Sequence, residues 1–211
     1  MDLVLYDYFR SSASYRVRIA LNLKDVPYEA VDTSLIDGAQ RSAEHLARNP
    51  QGFVPSLDVG GVVLNQSLAI IDWLDAKYPD PRLIPADPDA RAKVLAEALV
   101  IIADIHPINN LRILQYLKRE LGASQEQVDI WYRHWILEGL TALEAMAPDE
   151  DGLFGGASPN LTDICLVPQI YNARRFATPL EAFPKLVRID AALTQIDAFV
   201  RASPEAVQSG S

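Results

Sequence analysis

Residues 2–24, DLVLYDYFRSSASYRVRIALNLK, decide the fold class. Asp2–Asp7 is a short apolar run that reads as a strand. Ser11, Ser12 and Ser14 follow, and VRIALNLK then places Val17, Ala20 and Leu21 on one face of a helix. Serines just ahead of a periodic apolar run are N-cap candidates. A strand that passes directly into a helix is the opening of an α/β layer.

Working outward, Tyr28–Asp32 reads as a second strand and 41–48 as a weak helix. Asn49-Pro50-Gln51-Gly52 is a turn signature. Residues 54–59 and 62–64 are strands flanking Gly60-Gly61, a two-residue hairpin loop. Residues 66–78, QSLAIIDWLDAKY, form an amphipathic helix with Ser67 or Asn65 as its expected cap. Pro79, Pro81, Pro85 and Pro88 then mark a linker, and beyond it no strand pattern appears. Residues 89–121 are helical with a break at His106-Pro107, because a proline inside a helix removes a backbone bond. Gln125–Met146 is a long helix, residues 152–158 a loop, and Asn160 with Asp163 a capping box opening another helix. Residues 184–202 read as the last helix and 202–211 as a frayed end. The expected organisation is an α/β domain over residues 1–81 and an all-α domain over 88–211.

Composition narrows the function. The 211 residues are 49% hydrophobic and 22% charged, values of a globular chain. Acidic residues outnumber basic ones 28 to 19, giving a net charge of −9, so neither nucleic acid nor an anionic membrane surface is an expected partner. The excess is spread over both halves: residues 1–80 hold 7 basic and 11 acidic groups, residues 81–211 hold 12 and 17. No window approaches 18 apolar residues, and residues 1–20 carry charges throughout, so the expected compartment is the cytoplasm. The single cysteine, Cys165, sits in an apolar run and reads as buried and inert. His45, His106 and His134 lie far apart, and no metal site is expected.

Three local features carry chemistry. Arg10 and the serines stand where a strand becomes a helix, where backbone amides and hydroxyls favour an anion; the plainer reading is a helix cap. Val54-Pro55 starts a strand after a turn, a place for a cis bond with unpaired main chain beside it, or for an ordinary edge-strand proline. Gln66-Ser67 opens a helix directly after a strand, an amide nest for a carboxylate or again a cap.

Together these stretches bring a family into view. RSSASYRVRIAL (10–21) resembles the SSCSxRVRIAL signature of zeta-class glutathione transferases, the class that holds the maleylacetoacetate and maleylpyruvate isomerases. Asn49-Pro50 with Val54-Pro55, QSLAII (66–71), DIHPINN (104–110) and LVPQ (166–169) resemble further motifs of that class in order. The resemblance spans roughly residues 3–200. It implies a thioredoxin-like domain that binds glutathione, an all-helical substrate domain and a homodimer. It makes Ser11 the catalytic serine, with Ser12 and Arg10 beside it. Val54 beside a cis Pro55 would hold the cysteinyl unit of glutathione, and Gln66 and Ser67 its γ-glutamyl end. His106 and Asn110 match helical-domain positions that approach glutathione. Ala13 departs from the usual Cys or Thr, so redox attack by that residue is not expected here.

The implied reaction is isomerisation of a maleyl keto acid to its fumaryl form. A dianionic substrate needs cations, and Arg10, Arg112 and one of Arg174 and Arg175 are the expected clamps, because an arginine fork binds both carboxylate oxygens. Tyr8 rivals Ser11 as thiolate partner. Trp131 and Trp135 read as core or interface rather than as substrate stackers. Two other functions compete: a transferase that consumes glutathione on electrophiles or α-haloacids, and a binding protein of this fold without turnover.

Overall fold

The computed structural model describes residues 2–149 and 151–209. β1 (Leu3–Asp7) runs into α1 (Ser12–Leu23), and β2 (Glu29–Asp32) returns parallel to β1 with Val4 opposite Glu29. A 3₁₀ turn (Ala39–Arg41) and α2 (Ala43–Arg48) lead into β3 (Ser56–Val59), antiparallel to β1. β4 (Val63–Asn65) pairs antiparallel with β3, and α3 (Ser67–Lys77) follows. The mixed sheet has the order β2-β1-β3-β4, in agreement with the expected α/β layer. Its hairpin turns on Gly60 and Gly61 at φ +82° and +96°, the two positive values a type I′ turn requires.

α1 packs against α3 on one side and on a late helix of the chain, described below, on another. Every residue from Tyr15 to Leu21 is therefore buried, Arg16 and Arg18 included. A buried guanidinium is tolerable only when its donors are used. Arg18 Nη1 reaches both oxygens of the equally buried Asp7 at 2.8 and 2.7 Å, and its other nitrogens donate to the carbonyls of Ala202 and Phe9. Buried Lys24 is satisfied in the same way by Asp75 at 2.6 Å and by the carbonyls of Tyr78 and Pro81.

The second unit, Ile84–Thr194, is helical. α4 (Pro88–Leu99) continues as a π-helical segment (Val100–Ile105) that ends at His106, and α5 (Leu111–Arg119) resumes beyond the expected break. α6 (Gln125–Met146) passes so close to the π segment that a Cβ on Gly139 would lie 2.3 Å from Ile105 Cδ1. α7 (Leu161–Arg175) is buried along nearly its whole length and packs on α4, on the π segment and on α8 (Pro184–Leu193). The expected capping box is present: Asn160 Oδ1 accepts from the amides of Thr162 and Asp163, and Asp163 Oδ2 accepts from Asn160 N–H at 2.9 Å.

Three expectations about the end of the chain are corrected. The helix expected over 184–202 stops at Thr194, whose hydroxyl bonds back to the Asp190 carbonyl, and the chain restarts as α9 (Asp197–Ala202). Residues from Gln195 onward belong with the first unit, which otherwise ends at Leu83, and not with the helical domain. Their attachment is α1 itself: Asn22 donates to Ala198 C=O, Arg18 to Ala202 C=O, and Phe199 is 1% exposed. The expected fraying after residue 202 is also wrong where the chain is described. Residues 204–209 form α10 on α9, with Pro204 buried; residues 210 and 211 lie outside the described set.

Candidate functional site

In the first unit the expected site residues gather at one end of the sheet. Tyr6 pairs with Ser56, so the end of β1 and the start of β3 coincide. α1 begins just past β1 and α3 just past β4, whose Asn65 also faces Ser56. That end therefore holds Arg10, Ser11, Ser12, Val54, Pro55, Gln66 and Ser67.

Ser11 is the N-cap of α1. Its Oγ accepts from Ser14 N–H at a long 3.3 Å, and its own amide donates to Tyr8 C=O at 2.8 Å. A hydroxyl that accepts in a cap keeps its O–H to donate, so capping and anion stabilisation are compatible in one side chain. Ser12, the next residue, is buried. Arg10 lies over the Phe9 ring, 4.9 Å from its centroid, and donates from Nη2 to Tyr8 OH at 2.9 Å. Tyr8 is buried, and its oxygen accepts that bond while keeping its own O–H to donate.

Val54-Pro55 is cis, as expected. Among the described residues neither the amide nor the carbonyl of Val54 has a hydrogen-bond partner. α3 corrects the expected cap. Gln66 is the N-cap, at φ +73° and ψ +121°, with no side-chain cap bond, so the first-turn amides of α3 stay uncapped. Asn65 is occupied elsewhere, accepting from Ser56 Oγ at 2.6 Å, and Ser67 Oγ lies 3.5 Å from Nη1 of buried Arg16. Gln66 Nε2 instead donates to Gln51 Oε1 at 2.8 Å. Uncapped amides on a fixed turn, a hydroxyl and a buried guanidinium suit a carboxylate.

The remaining expected residues lie in the second unit. His106 closes the π segment, with its amide on Ile101 C=O at 2.9 Å. Asn110 is the N-cap of α5, accepting from Arg112 N–H at 3.2 Å, and Arg112 is exposed on that helix. The arginine pair at the end of α7 separates. Arg174 Nη2 is 2.7 Å from Asp190, whose carboxyl is 2% exposed and is pushed above the usual carboxylate range by burial, less the opposing pull of Arg174. Among the described residues Arg175 bonds a neutral neighbour in its own helix, Asn172 Oδ1 at 3.3 Å, and leans on Phe176. Trp131 donates to Ile108 C=O and meets Trp135 edge-on, which agrees with a packing role. Cys165 is buried and forms no disulfide among the described residues.

Sequence reading missed Arg16 and Gln51. Arg16 carried a signal: a charge between Tyr15 and Val17 in a run buried on all sides must serve something inside. Gln51 carried none, since its partner Gln66 is 15 positions away. Among the described residues no group of three His, Cys, Asp or Glu side chains is placed to hold a metal, and no helix is long and apolar enough to cross a membrane.

Residues 5–82 match the family model described as glutathione S-transferase, N-terminal domain. The chain is 51% identical over 208 residues to a probable maleylacetoacetate isomerase of Vibrio cholerae, covering 97% of each chain. It superimposes with a TM-score of 0.93 on a holo structure of a maleyl pyruvate isomerase described as a bacterial zeta-class glutathione S-transferase, at 45% identity and 98% coverage of both. A maleylacetoacetate isomerase of Methylobacterium extorquens AM1, crystallised with bound malonate and GSH, matches with a TM-score of 0.89 at 36% identity, over 96% of this chain and 97% of that one.

Proposed function

The chain belongs to the glutathione S-transferase family, and from its near full-length similarity to maleylacetoacetate and maleylpyruvate isomerases we infer a glutathione-dependent cis–trans isomerase that converts a maleyl keto acid to its fumaryl isomer. The observation that carries the glutathione part is the uncapped start of α3 over Ser67 and buried Arg16, at the same sheet end as the unpaired Val54 main chain. The first fits a carboxylate, the second an extended peptide unit. The tripeptide has both.

Glutathione held by the Val54 main chain and the start of α3 would supply a reversible sulfur nucleophile toward the maleyl double bond, whose conjugated carbonyl can hold the displaced electron pair. The chain supplies the rest. The α1 N-terminus and the Ser11 hydroxyl favour the ionised sulfur, lowering a thiol from about 8.5 toward the ~3.5–7.5 typical of such positions. Ser12, the buried first residue of α1, is assigned beside it. Ala13 has no group to attack with, so redox dehalogenation does not belong to this reading. His106 and Asn110 are kept as glutathione-approaching residues of the helical unit on the motif they share with the family.

Substrate carboxylates are assigned to Arg10, Arg112 and Arg175. Arg175 is chosen over Arg174 because Arg174 already neutralises the buried Asp190, whereas Arg175 bonds a neutral amide oxygen. A homodimer and a cytoplasmic location complete the proposal. Ala92, Ala96, Leu99 and Ala103 are exposed at helical spacing along α4 and the π segment, a stripe that supports self-association. The test is direct. A maleyl keto acid incubated with the protein should lose its cis-enol absorbance only when glutathione is present, and equal loss without glutathione would refute the reading.

A further inference from the structure

The Val54 main chain can serve a ligand only if its peptide plane is fixed, and two buried side chains fix it. Asn49 Nδ2 donates to Phe53 C=O at 3.0 Å, and His45 Nε2 meets the same oxygen at 2.8 Å. A carbonyl cannot donate, so this histidine nitrogen carries the proton. Both side chains belong to residues about 2% exposed, one on α2 and one just after it. Asn49 is held in turn: its amide donates to His45 C=O at 2.8 Å, its Oδ1 accepts from Gln51 N–H at 3.1 Å, and its carbonyl accepts from Gly52 N–H at 2.9 Å.

The consequence is geometric. The Phe53–Val54 peptide is trans, since the cis bonds of the described chain are Val54–Pro55 and Asp80–Pro81. In a planar trans peptide the C=O and the next N–H point in opposite directions. Two buried donors drawing the Phe53 oxygen toward α2 therefore aim the Val54 amide away from it. That amide has no partner among the described residues.

We propose that His45 and Asn49 are positioning residues for the glutathione peptide, acting through the Phe53 carbonyl to aim the Val54 amide. Neither touches the ligand. This rests on the functional reading above, and its direct consequence is for ligand affinity rather than for chemistry. A second thread leaves the same turn: Gln51 is held by Asn49 through its amide and holds Gln66 through its side chain, so the turn also braces the start of α3.

The experiment measures glutathione dissociation constants and full kinetics for three variants of the intact chain. His45→Phe keeps the ring volume and removes the donor. His45→Gln restores a donor at the distance of Nε2. Asn49→Asp keeps the oxygen that serves Gln51 and sets a second oxygen against Phe53 C=O. His45→Phe and Asn49→Asp should weaken glutathione about tenfold, with kcat at saturating glutathione and the KM for the keto acid within about twofold of the parent. His45→Gln should recover most of the affinity. The amide resonance of Val54 should shift on adding glutathione to the parent, and shift less in His45→Phe. Parent-like glutathione affinity in folded His45→Phe overturns the proposal, whether or not Asn49→Asp folds. Equal loss of affinity in His45→Gln and His45→Phe also overturns it, because the donor would then be irrelevant. A parent chain with no glutathione affinity would instead refute the functional reading, and this inference with it.

Discussion

Replacing Asp163 by asparagine should remove a pH dependence of stability that the parent shows between about pH 4 and pH 6. The Asp163 carboxylate is fully buried and accepts three amides, from Phe154 at 3.0 Å and from Gly155 and Asn160 at 2.9 Å. Those bonds favour the ionised form, but burial outweighs them, and the carboxyl of Glu97 adds to it; together they push the Asp163 carboxyl from 3.8 up to about 6. A carboxyl whose pKa is raised in the folded state binds its proton more tightly there than in the unfolded chain. Its stabilising contribution is thus full below about pH 4 and is lost as pH rises through about 6. A shift of roughly two units corresponds to about 3 kcal/mol. In a chain of this length that is about 6–12 °C in Tm. The variant has no titrating group at this position, and every other carboxyl is common to both proteins. The difference in Tm between parent and Asp163→Asn, followed by circular dichroism from pH 4 to pH 7, should therefore drift by that amount against the parent. Parallel curves would refute the reasoning and mean that the three amides, not burial, set the ionisation.

Ser11→Ala should lower kcat/KM by about 10- to 1000-fold, the range for losing one donor at a developing or stabilised charge, with little change in glutathione affinity. A large loss in Tyr8→Phe with none in Ser11→Ala would reverse the assignment. Arg175→Ala should raise KM for the keto acid while sparing turnover of a neutral electrophile such as a chlorodinitrobenzene. Arg174→Ala should act mainly on Tm, costing about 1–3 kcal/mol by leaving Asp190 buried without its partner. Equal losses on both substrates in Arg175→Ala would remove it from the carboxylate site. Sedimentation at micromolar concentration should give twice the 23.3 kDa of the chain, and Leu99→Glu should shift it toward one copy.

The parts of the fold that could be read directly are those that local chemistry specifies. Gly60-Gly61 requires a hairpin, His106-Pro107 requires a helix break, and Asn160 with Asp163 requires a cap, and all three are present. What escaped reading depends on partners distant in sequence. Residues after Gln195 look like a continuation of the helical domain until Arg18 and Asn22 are seen to hold their carbonyls. Ser67 looks like a cap until Arg16 is found beside it. The arginine pair 174–175 has no internal asymmetry in the sequence. The distinction between the two comes from Asp190, on another helix. In the same way, no pattern in HLARNPQGF (45–53) announces that its first and fifth residues converge on the carbonyl of its last.

Glutathione acts in this reaction as a cofactor and not as a reactant. Counting free thiol while a maleyl keto acid is turned over many times in excess of glutathione tests it most directly. The cis-enol absorbance should be lost completely, the fumaryl product should appear in equal amount, and the thiol count should stay unchanged. One thiol lost for each substrate consumed would contradict that role and make the chain a conjugating transferase.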